Sequence, residues 1–375
     1  MHECMHAIQD TKQNIHHNCY YLCGTTVRML QTKYFRFAFL TSVQLVIEPT
    51  LASFAMPFTT SITNTVKLSY QENSPESNEP QTSSLPPTLF LHGLDSSSHT
   101  WRHTIDALES NSVALDLRGC GHSPLGDPQD FSPQGIVNDI HAFLRSHRYF
   151  QKEEHQDVPT DGNSSGTESI LPFVIVGHSM GGRVAMSFAA HYPELVKALV
   201  IEDMDIRTRP MEMNIFQSED REATIAFNRH LVNRQEYELV EIFEKEGYPA
   251  DSVSKWLSEG RIEQKEDGSY YSQVNPAFRL LCYEHFFVTE HGERVWNAIG
   301  DIQSNLRFPI HVMVADKDKT VCDENSLWAM KIVMKRAGKF LVMHRYKNAT
   351  HSIHNSSSKD FLKDLISIIR AASLG

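Results

Sequence analysis

Residues 173–184 read FVIVGHSMGGRV, and this stretch decides the fold. An apolar, strand-forming run leads into the pentapeptide 177–181, and a helical pattern follows it. The pentapeptide has the form Gly-x-Ser-x-Gly, in which the serine stands on a sharp turn between a strand and a helix. Glycines around the serine remove Cβ atoms that would clash in such a tight reversal. We therefore predict that Ser179 is a nucleophile activated by a nearby base.

Strand and helix patterns alternate on both sides of this stretch. Short apolar runs predict strands, and apolar residues at helical spacing predict helices. The predicted strands are residues 66–70, 88–91, 113–117, 173–176, 199–201, 310–314 and 340–345. The predicted helices are residues 101–108, 135–148, 182–192, 326–337 and 361–372. This alternation predicts an α/β protein with a mostly parallel sheet flanked by helices on both faces.

The loop after the strand at 88–91 carries His92, Gly93 and Leu94. A serine nucleophile needs backbone N–H groups that stabilise the oxyanion formed during the reaction. In such a strand–turn–helix arrangement, called a nucleophile elbow, one N–H belongs to the residue after the serine, and a second comes from a loop after an earlier strand. We therefore predict that Met180 and Leu94 form the oxyanion hole. We interpret His92 as a residue that orders the loop by hydrogen bonding and takes no part in proton transfer.

Two histidines follow the predicted strand at 340–345. His351 and His354 both precede the terminal helix, which is where a base for an elbow serine is expected. His351 comes first after the turn at Asn348, so we predict that it is the base. His354 is then either an exposed residue or a neighbour of the site.

Two carboxylates compete to orient this imidazole. Asp318 lies in the loop after the strand at 310–314, and Asp203 lies just after the strand at 199–201. Either would hold the imidazole in place and stabilise its protonated form. We favour Asp318 as the acid and keep Asp203 as the alternative.

From about residue 66 to the C terminus the chain resembles the α/β-hydrolases. The matching motifs are VKLSY at 66–70, LHGL at 91–94, DLRG at 116–119, GHSMGG at 177–182, PELV at 193–196 and VN at 274–275. It is similar to the esterase group that includes abhydrolase domain-containing protein eleven and bacterial short-chain acyl esterases. This resemblance implies the α/β-hydrolase fold and an esterase or thioesterase activity without metal or organic cofactor. It also implies that the position of Asp203 can supply the acid.

The composition divides the chain into regions. Residues 1–60 are predicted to be an N-terminal extension that is either a targeting segment or disordered. Residues 61–204 and 306–375 are predicted to form the α/β-hydrolase core. Residues 205–305 are predicted to form a helical cap inserted after the sixth strand of that fold. Residues 151–170 are predicted to form a polar insertion exposed to solvent.

Charge and cysteine usage limit the partners and the compartment. The net charge is −11 with no dense basic stripe, so nucleic acid is not expected as a partner. The apolar run at 37–47 is too short for a stable membrane span. Six scattered cysteines indicate a reducing compartment. The resemblance favours the mitochondrion, with plastid and cytoplasm as alternatives, and the oligomeric state stays open.

These observations lead to one expected reaction. We expect hydrolysis of a small-molecule carboxylic ester or thioester through an acyl-serine intermediate. A serine at the elbow argues against epoxide hydrolases and haloalkane dehalogenases, which need a carboxylate there. The alternatives are a carbon–carbon bond hydrolase, an acyltransferase with the same residues, or a protein of this fold that binds a ligand without catalysis.

Overall fold

The structure is a computed structural model, and all of its described residues lie within one unit, Thr60–Gly375. It describes residues 65–73, 84–152, 170–209, 262–264, 266–268, 270–272, 276–302, 308–317 and 320–374, with the isolated residues 240, 241, 254 and 257. The predicted extension at 1–60, nearly all of the insertion at 151–170, much of the cap and the candidate acid Asp318 lie outside these residues.

Nine strands are present in the described residues. They are β1 (Tyr70–Glu72), β2 (Thr88–Leu91), β3 (Ser112–Leu115), β4 (Phe173–His178), β5 (Val196–Glu202), β6 (Ile262–Gln264), β7 (Tyr270–Ser272), β8 (Ile310–Ala315) and β9 (Leu341–Tyr346). Seven of them form one sheet in the order β1-β3-β2-β4-β5-β8-β9, in which β1 alone is antiparallel to its neighbour. The predicted mostly parallel sheet is confirmed.

Eight α-helices have defined bounds within the described residues, and the isolated residues 240, 241, 254 and 257 are helical as well. The eight helices are α1 (Arg102–Asp106), α2 (Pro133–Leu144), α3 (Met180–His191), α4 (Pro276–Cys282), α5 (His291–Asp301), α6 (Glu324–Arg336), α7 (Ile353–Ser356) and α8 (Ser358–Ser373). Local chemistry fixes where several of them begin. The Ser132 side chain accepts a hydrogen bond from the N–H of Gly135 at the start of α2, and Asp323 does the same for Ser326 in α6.

The sheet is covered by helices on both faces because its central strands are apolar on both sides. Leu89 and Leu91 of β2 belong to a core that also contains residues of α2, α3, α5 and α6. Phe90, between them, belongs to a second core with residues of α1 and α8. Successive side chains of a strand point to opposite faces, so one strand supplies both cores.

Strand β1 is displaced from the prediction. The alternation at 66–70 predicts a strand there, but the observed strand is Tyr70–Glu72. The N–H of Val66 donates to Oδ1 of Asp139 at 2.7 Å, and the N–H of Ser69 donates to Oγ of Ser123 at 2.7 Å. Side chains therefore accept hydrogen bonds from main-chain N–H groups that strand pairing would otherwise use.

The segment between β5 and β8 differs from a purely helical cap. Strands β6 and β7 pair antiparallel, and a turn at 266–268 with Gly268 at φ +81° joins them. The Asp-Gly pair at 267–268 is a hairpin signal that the sequence carried. Five strands of the described sheet precede residue 205, so among the described strands the insertion follows the fifth.

A substitution at Gly181 would test how closely the β4–α3 turn packs against its neighbours. A Cβ on Gly181 would lie 2.5 Å from the carbonyl oxygens of Leu91 and His92, which are backbone atoms of the neighbouring loop. We expect Gly181→Ala to lower the free energy of unfolding by at least about 2 kcal/mol, measured by urea titration.

Gly300 is the matched control, because it also lies in a helix. A Cβ there would meet Ala337 and Val333 at an ordinary 3.5 Å. We expect Gly300→Ala to be neutral or to stabilise by up to about 1 kcal/mol, since alanine favours helix. Equal destabilisation by both variants would contradict the close approach at Gly181.

Candidate active site

Ser179 stands at the sharp turn between β4 and α3. Its backbone has φ 52° and ψ −123°, a conformation that residues with a side chain rarely adopt. A Cβ on Gly177 would lie 2.7 Å from the N atom of Gly182, so the turn requires glycine there. The Ser179 side chain does not cap α3, unlike most serines at a helix start. Its hydroxyl is therefore not used to stabilise the helix.

The loop after β2 passes directly against this turn. A Cβ on Gly93 would lie 3.1 Å from Cβ of Ser179 and 2.8 Å from Nδ1 of His178. Leu94 follows in a half-buried turn, and Met180 is the buried first residue of α3. The two predicted oxyanion donors thus belong to segments in contact around Ser179, and their role stays a prediction.

His92 holds this loop through both ring nitrogens. The N–H of Leu117 donates to Nε2 of His92 at 3.1 Å, which leaves Nδ1–H to donate to the carbonyl of Gly93 at 2.7 Å. The ring is buried, and burial lowers the pKa of His92 despite the Gly93 hydrogen bond and the nearby Asp116. These contacts are those of a loop-ordering residue.

His351 is hydrogen-bonded to Asp203. Nδ1 of His351 lies 2.6 Å from Oδ2 of Asp203, whose side chain is fully buried, whereas the His351 side chain is 32% exposed. A carboxylate oxygen accepts, so Nδ1 carries the proton and Nε2 has a lone pair available. A base for a serine hydroxyl requires this tautomer.

The main chain holds the Asp203 carboxylate in place. The N–H of Val321 donates to Oδ2 at 3.0 Å, and the N–H of Cys322 donates to Oδ1 at 3.4 Å. Asp203 itself has a positive φ of 41°, one residue past the end of β5, and its N–H donates to the carbonyl of Met313. Asp318, the acid favoured from sequence, lies outside the described residues, so the structure shows the contact of Asp203 alone.

Three further side chains, which no sequence motif indicated as a group, form a buried polar cluster beside these residues. Glu202 is fully buried, His354 is 3% exposed and His178 is 7% exposed. The Nδ1 atom of His354 lies 2.8 and 2.9 Å from the two carboxylate oxygens of Glu202. His354 is therefore not exposed. The sequence signal that could have indicated this group is position, because His178 directly precedes Ser179 and Glu202 directly precedes Asp203.

Burial and mutual contact shift the pKa values in this group. Burial lowers the pKa of His178 to about 3, and the nearby Glu202 opposes this shift only in part. Burial acts to raise the pKa of Glu202, but attraction to the two histidines and hydrogen bonds from His354 outweigh it, so that its pKa is lowered. His178 is therefore neutral near pH 7, while Glu202 is an anion.

Helix α4, in the predicted cap, contacts the loop after β2 and the aromatic residue Phe131. Nε of Arg279 lies 3.2 Å from Oδ2 of Asp95, the residue after Leu94. Phe278 meets Phe131 edge to face at 5.9 Å between ring centroids. Helix α4 thus touches the segment that carries one predicted oxyanion donor.

Two features bear on metals and membranes. Within the described ranges, no group of three or more His, Cys, Asp or Glu side chains is arranged to hold a metal ion. No helix in that part of the chain is long and apolar enough to cross a bilayer.

Comparison with known proteins identifies the family. The model of the alpha/beta hydrolase family matches residues 88–364. The chain belongs to the alpha/beta hydrolase family. The match includes the Ser179 turn and extends past His351. This agrees with the resemblance found from the motifs.

Individual relatives of this alpha/beta hydrolase match over shorter segments. Esterase Rv0045c of Mycobacterium tuberculosis is 32% identical over 121 residues, which cover 32% of this chain and 34% of that protein. The sn-1-specific diacylglycerol lipase ABHD11 of Mus musculus is 30% identical over 124 residues, covering 32% of this chain and 33% of that protein. The chain thus matches only about a third of the length of these curated relatives.

Other comparisons agree on the fold. Proteins named as epoxide hydrolases are similar at 26–29% identity. A solved structure described as a marine microorganism esterase superposes with a TM-score of 0.56 at 18% identity, covering 81% of this chain and all of that one. At this identity the superposition shows the fold alone.

The lowered pKa of His178 predicts a pH dependence of stability. An unfolded histidine has a pKa of about 6.5, so the unfolded chain binds the proton first as pH falls. The contribution of His178 to stability is therefore complete above about pH 6.5 and is lost as the pH falls toward about 3. The loss is about 1.4 kcal/mol per pH unit in that window.

We expect His178→Gln to reduce the slope of stability against pH, because glutamine keeps a side-chain N–H and does not titrate, while other buried histidines such as His291 still do. Urea titrations of wild type and variant between pH 7 and pH 5 measure it. His291→Gln is a second test, since burial also lowers the pKa of His291 to about 3. An unchanged pH slope in His178→Gln would show that this histidine does not titrate as its burial implies.

Proposed function

We propose that the protein is a serine hydrolase that cleaves a carboxylic ester or thioester through an acyl-serine intermediate. The proposal is carried by the strained backbone of Ser179, which follows β4, together with the hydrogen-bonded pair of His351 and Asp203. The two are linked by His178, which precedes Ser179 and whose ring contacts His351. A strained conformation at a turn that glycines make possible is a common mark of a functional residue.

Each residue has a defined role in the proposed reaction. Oγ of Ser179 attacks the acyl carbon while Nε2 of His351 takes its proton, and Asp203 holds the ring and stabilises the imidazolium. The N–H groups of Met180 and Leu94 donate to the oxyanion. His351 then protonates the leaving alcohol or thiol. A water molecule, deprotonated by His351, cleaves the acyl-serine to release the carboxylic acid and restore the Ser179 hydroxyl.

The serine supports acyl transfer over epoxide opening. An epoxide hydrolase of this fold forms an alkyl ester with a carboxylate nucleophile, which water cleaves at the carbonyl carbon. An alkyl ether formed on Ser179 would have no such carbonyl. We therefore place this chain with the esterase-named relatives and not with the epoxide hydrolases.

Active-site labelling tests the nucleophile. We expect a fluorophosphonate probe to label wild type at Ser179, identified by peptide mass spectrometry, and Ser179→Ala to remain unlabelled. Hydrolysis of p-nitrophenyl esters and acyl thioesters of graded length should fall by at least about 10³-fold in Ser179→Ala. A folded wild type that neither labels nor hydrolyses any of these substrates would contradict the proposal. Added alcohols and amines would reveal an acyltransferase by a new ester or amide product.

Asparagine substitutions decide between the two candidate acids. We expect Asp203→Asn to lower kcat by about 10⁴-fold, because an amide donor at this position favours the wrong tautomer of His351. Asp318→Asn is the matched variant and should leave kcat within about threefold of wild type. The opposite ranking would assign the acid to Asp318.

A further inference from the structure

We propose that Glu202, His354 and His178 form a buried positioning network that holds the catalytic His351 and Asp203 in register with Ser179. This inference rests on the proposed function, because it concerns how the same site is kept in its active geometry. None of the three residues is given a chemical step. Their proposed role is to fix the main chain on which the reacting side chains stand.

Chain position links the network to the site. His178 and Glu202 are the last residues of β4 and β5, and each immediately precedes a proposed catalytic residue, Ser179 or Asp203. His354 lies three residues after His351 in the short helix α7. Any shift of the network therefore moves the backbone of the catalytic residues directly.

Glu202 holds the segment after His351 by two kinds of hydrogen bond. Its Oε1 accepts from the main-chain N–H of His354 at 2.9 Å and from the ring Nδ1–H of the same residue at 2.8 Å. Both partners are almost fully buried, so water does not compete for these bonds. Hydrogen bonds to a buried carboxylate are among the stronger contacts in a protein. The position of α7 is thereby tied to the end of β5.

His178 holds the main chain of His351 itself. Its Nε2 lies 3.2 Å from the carbonyl oxygen of His351, so the neutral ring donates Nε2–H to that carbonyl. The two rings lie 4.7 Å apart between centroids. The opposite side of the His178 ring is closed by Gly93, where a Cβ would lie 2.8 Å from Nδ1. The ring therefore has little room to rotate away from His351.

The outer edge of the network reaches the 3₁₀ helix Ser98–Trp101, which follows the loop after β2. The His354 ring stacks on Trp101 at 4.2 Å between centroids, and its Nε2 lies 2.8 Å from Oγ1 of Thr100. The network thus joins four segments: the chain between β2 and α1, the ends of β4 and β5, and the chain after β9. These are the segments that carry the proposed oxyanion donor, nucleophile, acid and base.

Thr100, His354 and Glu202 also have the connectivity of a hydroxyl, an imidazole and a carboxylate. The amide nitrogen of Asn355 lies 3.1 Å from Nε2 of His354, and an amide N–H can only donate. Nε2 has one lone pair, and both the Thr100 hydroxyl and the Asn355 amide are directed at it. The lone pair of Nε2 is therefore already occupied. We therefore assign His354 to positioning, and probe attachment at Thr100 would overturn that assignment.

Substitutions at His354 test the network. His354→Phe keeps a ring against Trp101 but removes both hydrogen-bonding nitrogens, whereas His354→Asn retains an N–H near the position of Nδ1. We expect His354→Phe to lower kcat for p-nitrophenyl butyrate by about 10²-fold with little change in KM, as a displacement of about 1 Å would. His354→Asn should recover at least about tenfold of that loss. The rate of fluorophosphonate labelling at Ser179 should follow kcat.

Glu202 provides a second pair of variants, in case His354→Phe does not fold. Glu202→Met matches the side chain in size and removes both acceptors, whereas Glu202→Gln keeps the Oε1 acceptor. We expect kcat to fall further in Glu202→Met than in Glu202→Gln. Urea titration establishes that each variant is folded under the assay conditions.

A distant pair of the same chemistry is the control. His147 contacts Glu72 at 3.1 Å between Nε2 and Oε2, at the β1 edge of the sheet. We expect His147→Phe to lower stability without changing kcat. The positioning role is overturned if folded His354→Phe keeps kcat within threefold of wild type, if His354→Asn is as impaired as His354→Phe, or if His147→Phe lowers kcat equally. Loss of activity in Ser179→Ala with full activity in His354→Phe would reject the network and keep the proposed function.

Discussion

The backbone reversal at Ser179 is the constraint on which the rest of the site depends. A helix can follow β4 so closely only because Gly177 and Gly181 present no side chain to the neighbouring backbone. Gly181 lies against the carbonyls of Leu91 and His92, so the same packing brings the loop after β2 to the serine. One local requirement for small residues therefore fixes both the nucleophile turn and the loop beside it.

Parallel strands then bring distant parts of the sequence to this turn. Strands β2, β4, β5 and β9 run in the same direction, and their carboxyl ends lie along one edge of the sheet. Loops that leave this edge carry Leu94, Ser179, Asp203 and His351. Open parallel sheets place ligand sites at this edge for the same reason. The apolar cores on both faces make the edge rigid enough to hold atoms at hydrogen-bonding distance.

The polar groups beneath the site are unusual for a buried layer. A buried carboxylate such as Glu202 is unfavourable unless donors surround it. Here His354 supplies two donors, and Asp203 receives main-chain N–H groups from the loop after β8. An apolar layer would be easier to stabilise, but it would not hold the loops in one register with the same precision.

The sequence by itself determined the order of strands and helices, the glycine-lined turn at Ser179 and the alpha/beta hydrolase resemblance. These follow from local patterns, since apolar spacing and glycine chemistry act within a few residues. Other details depart from the local pattern. In the predicted strand at 66–70, the side chains of Asp139 and Ser123 accept hydrogen bonds from main-chain N–H groups.

Only the tertiary structure decided which groups meet. The hydrogen bond from His351 to Asp203 joins residues 148 apart in the chain, and the sequence placed two carboxylates at comparable strand ends. The tertiary structure likewise brought His354 into the interior beside Glu202, although the position of His354 in the sequence was compatible with exposure. A hydrogen bond requires distances near 3 Å, and these are fixed by the packing of the whole sheet and not by any local pattern.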